Sequence, residues 1–391
     1  MKIYTEEKLP IKSWCENPEE GCLVQARNIA NLPFLFKHVA LMPDTHQGYG
    51  MPIGGVIATK GVVIPNAVGV DIGCGMCAVK TPIKVENLST ELLKKIMGEI
   101  RKVVPVGFGH HQKRQDLFYM PYAGEIKPEM KIVDEQFDSA TKQVGTLGGG
   151  NHFIEIQKGN DGFIWIMIHS GSRNIGLKVA QYYNDLAVKL NEKWHTSVPK
   201  EHELAFLPID SNEGQAYLSE MDYCVRFALC NRRLMMDNIL GIFKELVEDK
   251  VPYEDMINIA HNYASMENHF GTNVMVHRKG ATLAREGMRG IIPGSQGTAS
   301  YIVKGKGNPD SFMSCSHGAG RQMGRKEAER SLDLEAEIKM LNDQGVIHSV
   351  RNKSDLDEAP SAYKNIDIVM KEQQDLVEIL VELKPLGVIK G

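Results

Sequence analysis

Apolar residues along this chain fall into patterns of different period. Across residues 40–81, ALMPDTHQGYGMPIGGVIATKGVVIPNAVGVDIGCGMCAVKT, short apolar runs are broken by glycine and proline, which predicts buried strands joined by tight turns. The run GFIWIMIHSGS predicts another strand, one that delivers His169 to a Gly/Ser turn. Over Ser89–Val103 the period is that of an amphipathic helix. It returns from Asn212 to Asp249, where Tyr217, Met221, Val225, Leu229, Met235, Ile239 and Phe243 read as core packing. Residues 275–320 revert to short strands and glycine-rich loops. A charged helix is predicted over Arg325–Asn342, and the closing QQDLVEILVELKPLGVIKG reads as a helix or strand followed by a short tail.

No low-complexity linker and no internal repeat interrupts these elements. Polar residues of chemical interest are scattered from Asp71 to Lys390, so a site drawn from the whole length predicts one integrated mixed α/β (α+β) domain over residues 1–391. Composition adds that the chain is soluble and globular: 42% hydrophobic and 24% charged over 391 residues. No apolar run approaches the roughly 20 residues that cross a bilayer. The opening MKIYTEEKLP has no apolar signal core, so cytoplasmic residence is expected, with no membrane contact. Seven cysteines without a scaffold spacing predict buried thiols rather than disulfides, with one or two as metal ligands. Cys15, Cys22, Cys224 and Cys230 carry no chemical context and read as structural.

A net charge of −4 argues against a general nucleic-acid coat. Yet from His277 to Lys326 the cations Arg278, Lys279, Arg285, Arg289, Lys304, Lys306, Arg321, Arg325 and Lys326 face only Glu286 and Asp310. That local field suggests an anionic ligand; a solvated basic face is the alternative.

Four segments offer metal donors beside permissive glycines: VGVDIGCGMC with Asp71, Cys74 and Cys77; GGGNHFIE with Asn151, His152 and Glu155; HSGSR with His169 and Arg173; and HNY with His261. The Cys-x-x-Cys has no second pair to complete a structural zinc site and no thioredoxin-like frame around it. A mixed Asp/Cys/His set suits a borderline divalent ion with open positions, and one thiolate bridging two ions is conceivable. The turn IPGSQGTASY lies in the basic region and reads either as an anion-binding nest or as ordinary turn chemistry; it lacks the Gly-Lys-Ser/Thr ending of a Walker loop. In SCSHGAGRQMGR, His317 is followed by Gly318, Ala319 and Gly320 and then by Arg321 and Arg325. Neutral imidazole can attack a phosphoanhydride, small residues let a phosphoryl group approach, and guanidiniums bind phosphate. Cys315 is the rival nucleophile.

Taken in order, MPDTHQGYGMPIGGVIAT, VGVDIGCGM, GTLGGGNHFIEI, HSGSRNIG, HNYA, VHRKGATLA, IPGSQGTASY, SCSHGAGR, EAPSAYKNI and the terminal GVIKG closely resemble the RtcB family of RNA-splicing and repair ligases. The resemblance implies a domain with a central metal and nucleotide cleft. It also implies GTP and two manganese ions, and the joining of RNA 3′-phosphate or 2′,3′-cyclic phosphate ends to 5′-hydroxyl ends. By position, His317 would become guanylylated and Cys74 would bridge the metals. His152 and His169 would complete one ion's protein ligands, and Asp71 and His261 the other's. Asn151 through Glu155 (with His152, Phe153 and Ile154), His261, Asn262, Pro293, Gly294, Ser295, Gln296, Ser300, and His317 to Gly320 would line the GTP site. Tyr363 and Lys390 would contact guanine, and Arg173, Arg321 and Arg325 are expected at RNA phosphates. A monomer is expected. The sequence departs from the pattern at Asn174 and Ile175, where a smaller Gly-Leu type pair is usual. GFGHHQKRQ adds His110 and His111, either RNA contacts or parts of a mobile loop. A metal-dependent phosphodiesterase and a non-catalytic RNA-binding protein are the competing functional classes.

Overall fold

The computed structural model describes residues 1–247 and 255–391. Two sheets dominate it. The six-stranded sheet runs in the order Lys2–Tyr4, Ile11–Ser13, Leu35–His46, Ile53–Thr59, Thr272–Lys279, Asn262–His269, with one parallel pair at Ile11–Ser13 against Leu35–His46. The seven-stranded sheet runs Ile257–Ala260, Gly75–Lys84, Phe163–Ser170, Phe153–Gly159, Val377–Lys390, Ser300–Gly305, Arg289–Ile292, and every neighbouring pair is antiparallel. The mixed α/β class expected from the sequence is what forms.

Strand alternation decides which side chains reach the site. Ile164, Ile166 and Ile168 point into a core shared with Ile154 and Ile156, while Trp165 and Met167 pack on the opposite face with Phe153 and Met76. His169, two residues beyond Met167, belongs to that second face. The first core is closed by the helix Thr90–Val103, whose Leu93, Ile96, Met97 and Ile100 are buried on one stripe and whose Ser89 hydroxyl caps the Leu92 N–H.

The predicted long helix forms as Asn212–Val247; the last two positions of that prediction, Glu248 and Asp249, lie outside the described residues. It packs against Lys131–Gln143 and Arg173–Lys193 in a second apolar core. Among the described residues no helix is long and apolar enough to cross a membrane.

Three expectations need correction. The charged helix over 325–342 is two helices, Arg325–Ser331 and Leu334–Asp343, because Asp333 turns its carboxylate to the Ala336 N–H and starts a new helix. Part of the strand-and-turn region over 40–81 is a short helix, Pro65–Val68. The chain end is no tail: Val377–Lys390 is a fourteen-residue strand inside the seven-stranded sheet, with Lys390 paired to Phe153. The Asn174–Ile175 departure is absorbed by packing, since Ile175 is buried and the Asn174 amide donates to Gln136 at 3.0 Å.

Candidate active site

A cleft of about 910 Å³ is lined from both sheets. One wall begins at the turn Asp71–Cys74, closed by the Cys74 N–H on the Asp71 carbonyl (3.1 Å). Asn262 braces it: its amide donates to the Asp71 carbonyl at 3.0 Å, its own carbonyl accepts from Gly73, and its side-chain oxygen accepts from Gly280. A Cβ at Gly171 would overlap the Asp71 carboxylate, so this close approach of two loops requires glycine.

Here the predicted donors meet. Cys74 Sγ lies 3.4 Å from His152 Nε2 and 3.3 Å from His169 Nε2, and these three form a buried cluster of metal-ligand type. Asp71 adjoins it at His152 (3.1 Å), and His261 Nε2 adjoins it at His169 Nε2 (3.4 Å). His152 Nδ1 donates to the Leu147 carbonyl and His169 Nδ1 to the Asn151 carbonyl, both at 3.0 Å. Those bonds fix the tautomer and turn the Nε2 lone pairs toward the thiol. Burial pushes His169 and His261 well below the usual imidazole range, leaving neutral rings, and burial together with Asp71 raises the Cys74 thiol. His261 Nδ1 is buried and has no hydrogen-bond partner among the described residues. Sulfur, imidazole and carboxylate donors converging in one buried pocket are the arrangement a divalent cation satisfies, so this donor set fits a metal.

The supports come from the long helix. Arg232, fully buried, donates to the Gly73 carbonyl (3.0 Å), the Ser170 carbonyl (2.8 Å) and Asn258 (2.8 Å). Asn231 accepts from the Gly145 and Thr146 N–H groups and donates to Gly171 and Ser170. Two polar residues in an apolar helix thus tie down the backbone of the ligand-bearing loops. The sequence reading took this helix as core packing and missed both.

The opposing wall presents His317. Its Nδ1 lies 2.6 Å from Asp44 Oδ2, an oxygen that also accepts from the backbone N–H groups of His317 (3.0 Å) and Gly318 (3.2 Å). Burial would raise the Asp44 carboxyl, but His317 beside it brings it below its ordinary value. The carboxylate can only accept, so Nδ1 carries a proton, and in the neutral ring the lone pair is on Nε2. The His317 ring sits 4.7 Å from the His261 ring, which places it against the donor cluster. Gly320 (φ 73°) passes so close to Asp44 that a Cβ would overlap the Asp44 carbonyl. Asp44 was missed as a site residue although it lies in the MPDTHQGYG motif; its partner is 273 residues away.

At the far end of the cleft Glu358 is a hub, also missed, though it opens EAPSAYKNI. It is buried and takes the Tyr363 hydroxyl, Arg321 (3.2 Å), Arg325 (2.9 Å) and Lys390 (3.8 Å). Phe153, Glu155, Tyr363 and Lys390 line this end. Burial pushes the Glu155 carboxyl up to about 8.

Not every predicted residue reaches the cleft. Ile154 points into the apolar core, and Ser300 sits behind the wall, bonded to Gln157 and to the Gly294 N–H. The Ser295 N–H is taken by the Thr298 hydroxyl at 2.6 Å. Pro293–Gln296 all line the cleft as expected, but those two N–H groups are already satisfied, so ordinary turn chemistry describes the segment better than an open nest does. Arg173 donates to Thr146 and to the Gly107 carbonyl. The basic segment is largely neutralised by acids outside it: Arg278 by Glu267, Arg289 by Asp255, Lys304 by Glu378. Of its nine cations, Lys279, Arg321 and Arg325 line the cleft. Cys315 is buried, its thiol raised by burial, and does not line the cleft; Cys77 faces the apolar core.

A family model described as tRNA-splicing ligase RtcB matches residues 25–391. The RNA-splicing ligase RtcB of Escherichia coli (strain K12) is 38% identical over 410 aligned residues, covering 100% of this chain and 99% of that protein. The tRNA-splicing ligases RtcB of Nanoarchaeum equitans and Thermococcus kodakarensis are 32% and 30% identical, each covering 100% of this chain and 95% and 94% of their own lengths.

Proposed function

The chain belongs to the RtcB family, and from that premise we propose that it is a GTP- and manganese-dependent RNA ligase acting through a histidine–GMP adduct on His317. The observation that carries the reading is the pair of buried Asp44 and half-buried His317 (2.6 Å) seated against the Cys/His cluster. Asp44 holds the Nδ1 proton, so Nε2 attacks the α-phosphorus of GTP. A P–N bond forms, the bond to the bridging oxygen breaks, and pyrophosphate leaves. The positive charge that grows on the ring is stabilised by the Asp44 carboxylate, as in other oriented imidazoles.

An RNA 3′-phosphate oxygen then attacks the same phosphorus and releases His317, giving an RNA 3′ end capped by GMP through a pyrophosphate link. A 5′-hydroxyl attacks the RNA phosphorus, GMP departs, and a phosphodiester remains; a 2′,3′-cyclic phosphate is first opened to the 3′-phosphate. Two manganese ions on Asp71, Cys74, His152, His169 and His261 would supply Lewis-acid stabilisation of phosphoryl charge. Glu155, Tyr363 and Lys390 would hold the base, and Arg321 and Arg325, already oriented by Glu358, would meet RNA phosphates. The substrate class follows the relatives named as RNA- and tRNA-splicing ligases. The whole chain is read as one catalytic unit, monomeric and cytoplasmic.

The test is incubation with α-labelled GTP and manganese. An acid-labile protein adduct is expected, absent in His317→Ala, together with joined RNA from 3′-phosphate and 5′-hydroxyl ends. An adduct that survives in His317→Ala would overturn the assignment of the nucleophile.

A further inference from the structure

Beside the cleft, residues 104–115 (VPVGFGHHQKRQ) hold His110, His111, Lys113 and Arg114, the last ion-paired with Asp138, in a chain of net charge −4. At their tip Phe108 is fully exposed, flanked by Gly107 (φ 60°) and Gly109. The tip is tied down at its base. The Gly107 N–H donates to the Gly148 carbonyl at 2.8 Å, and the Arg173 guanidinium donates to the Gly107 carbonyl at 3.0 Å. Gly148–Gly150 is the loop that leads into His152, and Gly150 faces Arg325. Farther along, the His111 N–H bonds to the Lys142 carbonyl and its Nε2 to the Gly145 carbonyl, so His111 is a tether. The loop therefore holds an aromatic ring in water at the rim of the cleft, beside cations.

We propose that Phe108 is a stacking platform for an unpaired nucleobase of the RNA strand whose end occupies the cleft, with His110 and Lys113 beside its phosphates. The proposal rests on the ligase reading for its choice of RNA. A nucleobase has an apolar face attached to an anionic backbone, and the tip presents the complement of both: a free aromatic face, and the His110 ring and Lys113 ammonium in the same stretch. Ring stacking of this kind is tolerant of sequence and worth roughly tenfold in affinity per base.

The experiment measures the dissociation constant of a short single-stranded RNA bearing a 3′-phosphate for the full chain, Phe108→Ala and Phe108→Tyr. The same RNA is also used with one of its last few nucleotides made abasic in turn. Phe108→Ala is expected to bind roughly tenfold more weakly at an unchanged melting temperature, and Phe108→Tyr to retain affinity. One abasic position should weaken the wild type by the same factor and cost Phe108→Ala nothing further. Unchanged affinity in Phe108→Ala, or an equal abasic penalty in both proteins at every position, would overturn the platform, and in the first case would leave the tip to a protein partner. Should the wild type form no GMP adduct and join no RNA while Phe108→Ala still weakens binding, the ligase reading falls and the platform stands.

Discussion

The two walls of the cleft are organised to different degrees of completion. On the His317 wall, Asp44 Oδ2 takes the ring N–H and two backbone N–H groups, so the His317 ring is oriented by residues of this chain alone. On the Cys74 wall the backbone is just as firmly held, by Arg232 and Asn231. Its side chains are different: a thiol and imidazole nitrogens converge at 3.3–3.4 Å, donors that a metal would satisfy together. The first wall is finished before any ligand arrives, while the second is finished only in its backbone. Free energy released when a cation satisfies those lone pairs should therefore appear as added stability, whereas the His317 wall should be indifferent to metal.

Cys74→Ala should produce the largest effect. It removes the atom shared by His152 and His169, and we expect manganese binding and the GMP adduct both to fall below detection, measured by metal content and by labelled GTP. An adduct formed at normal rate would show that the Cys74 wall does not need its thiol. Asp44→Asn should come next. The amide keeps the shape but loses the charge that stabilises a cationic ring, so adduct formation should drop by about 10²-fold or more, with manganese affinity unchanged. An equal loss of manganese affinity would mean that the walls are not separable. A smaller effect is thermal: saturating manganese should raise the melting temperature by a few degrees, a chelator should reverse it, and Cys74→Ala should show no shift.

The same contrast explains what could be read from the sequence. The Cys74 wall was legible because its donors sit in glycine-flanked segments whose residue types have few other uses together. Strand period alone was enough to put His169 at a turn. Asp44 was passed over because an aspartate in a strand has many uses, and the bond that defines this one spans 273 residues. Glu358 was hidden for the same reason, its four partners lying at positions 321, 325, 363 and 390. Asn231 and Arg232 were obscured by the apolar helix around them. The basic segment was legible only in part: Lys279, Arg321 and Arg325 do line the cleft, but linear charge counting omits acids such as Glu267 and Glu378 that fold back onto the rest. Ile154 shows the limit of motif transfer: it adjoins Phe153 in sequence but faces the opposite side of the strand.

The smallest predicted effect concerns Glu155, whose strand belongs to the Cys74 side of the cleft. Burial pushes its carboxyl up to about 8, while the Gln157 amide (2.6 Å) and Lys390 pull it down. In the unfolded chain it titrates near 4.3. Between those values the folded protein binds a proton that the unfolded chain does not, so this group's contribution to stability is full at acid pH and is lost as pH rises toward 8. Glu155→Gln carries no such proton. The stability of wild type relative to Glu155→Gln, from denaturant unfolding of ligand-free protein, should fall from pH 5 to pH 8 by at most about 1.4 kcal/mol per pH unit and then level off. A difference that is flat across that range would show that the carboxylate is already ionised and satisfied, and that the Glu155 end of the cleft is as complete without ligand as Asp44 makes the His317 wall.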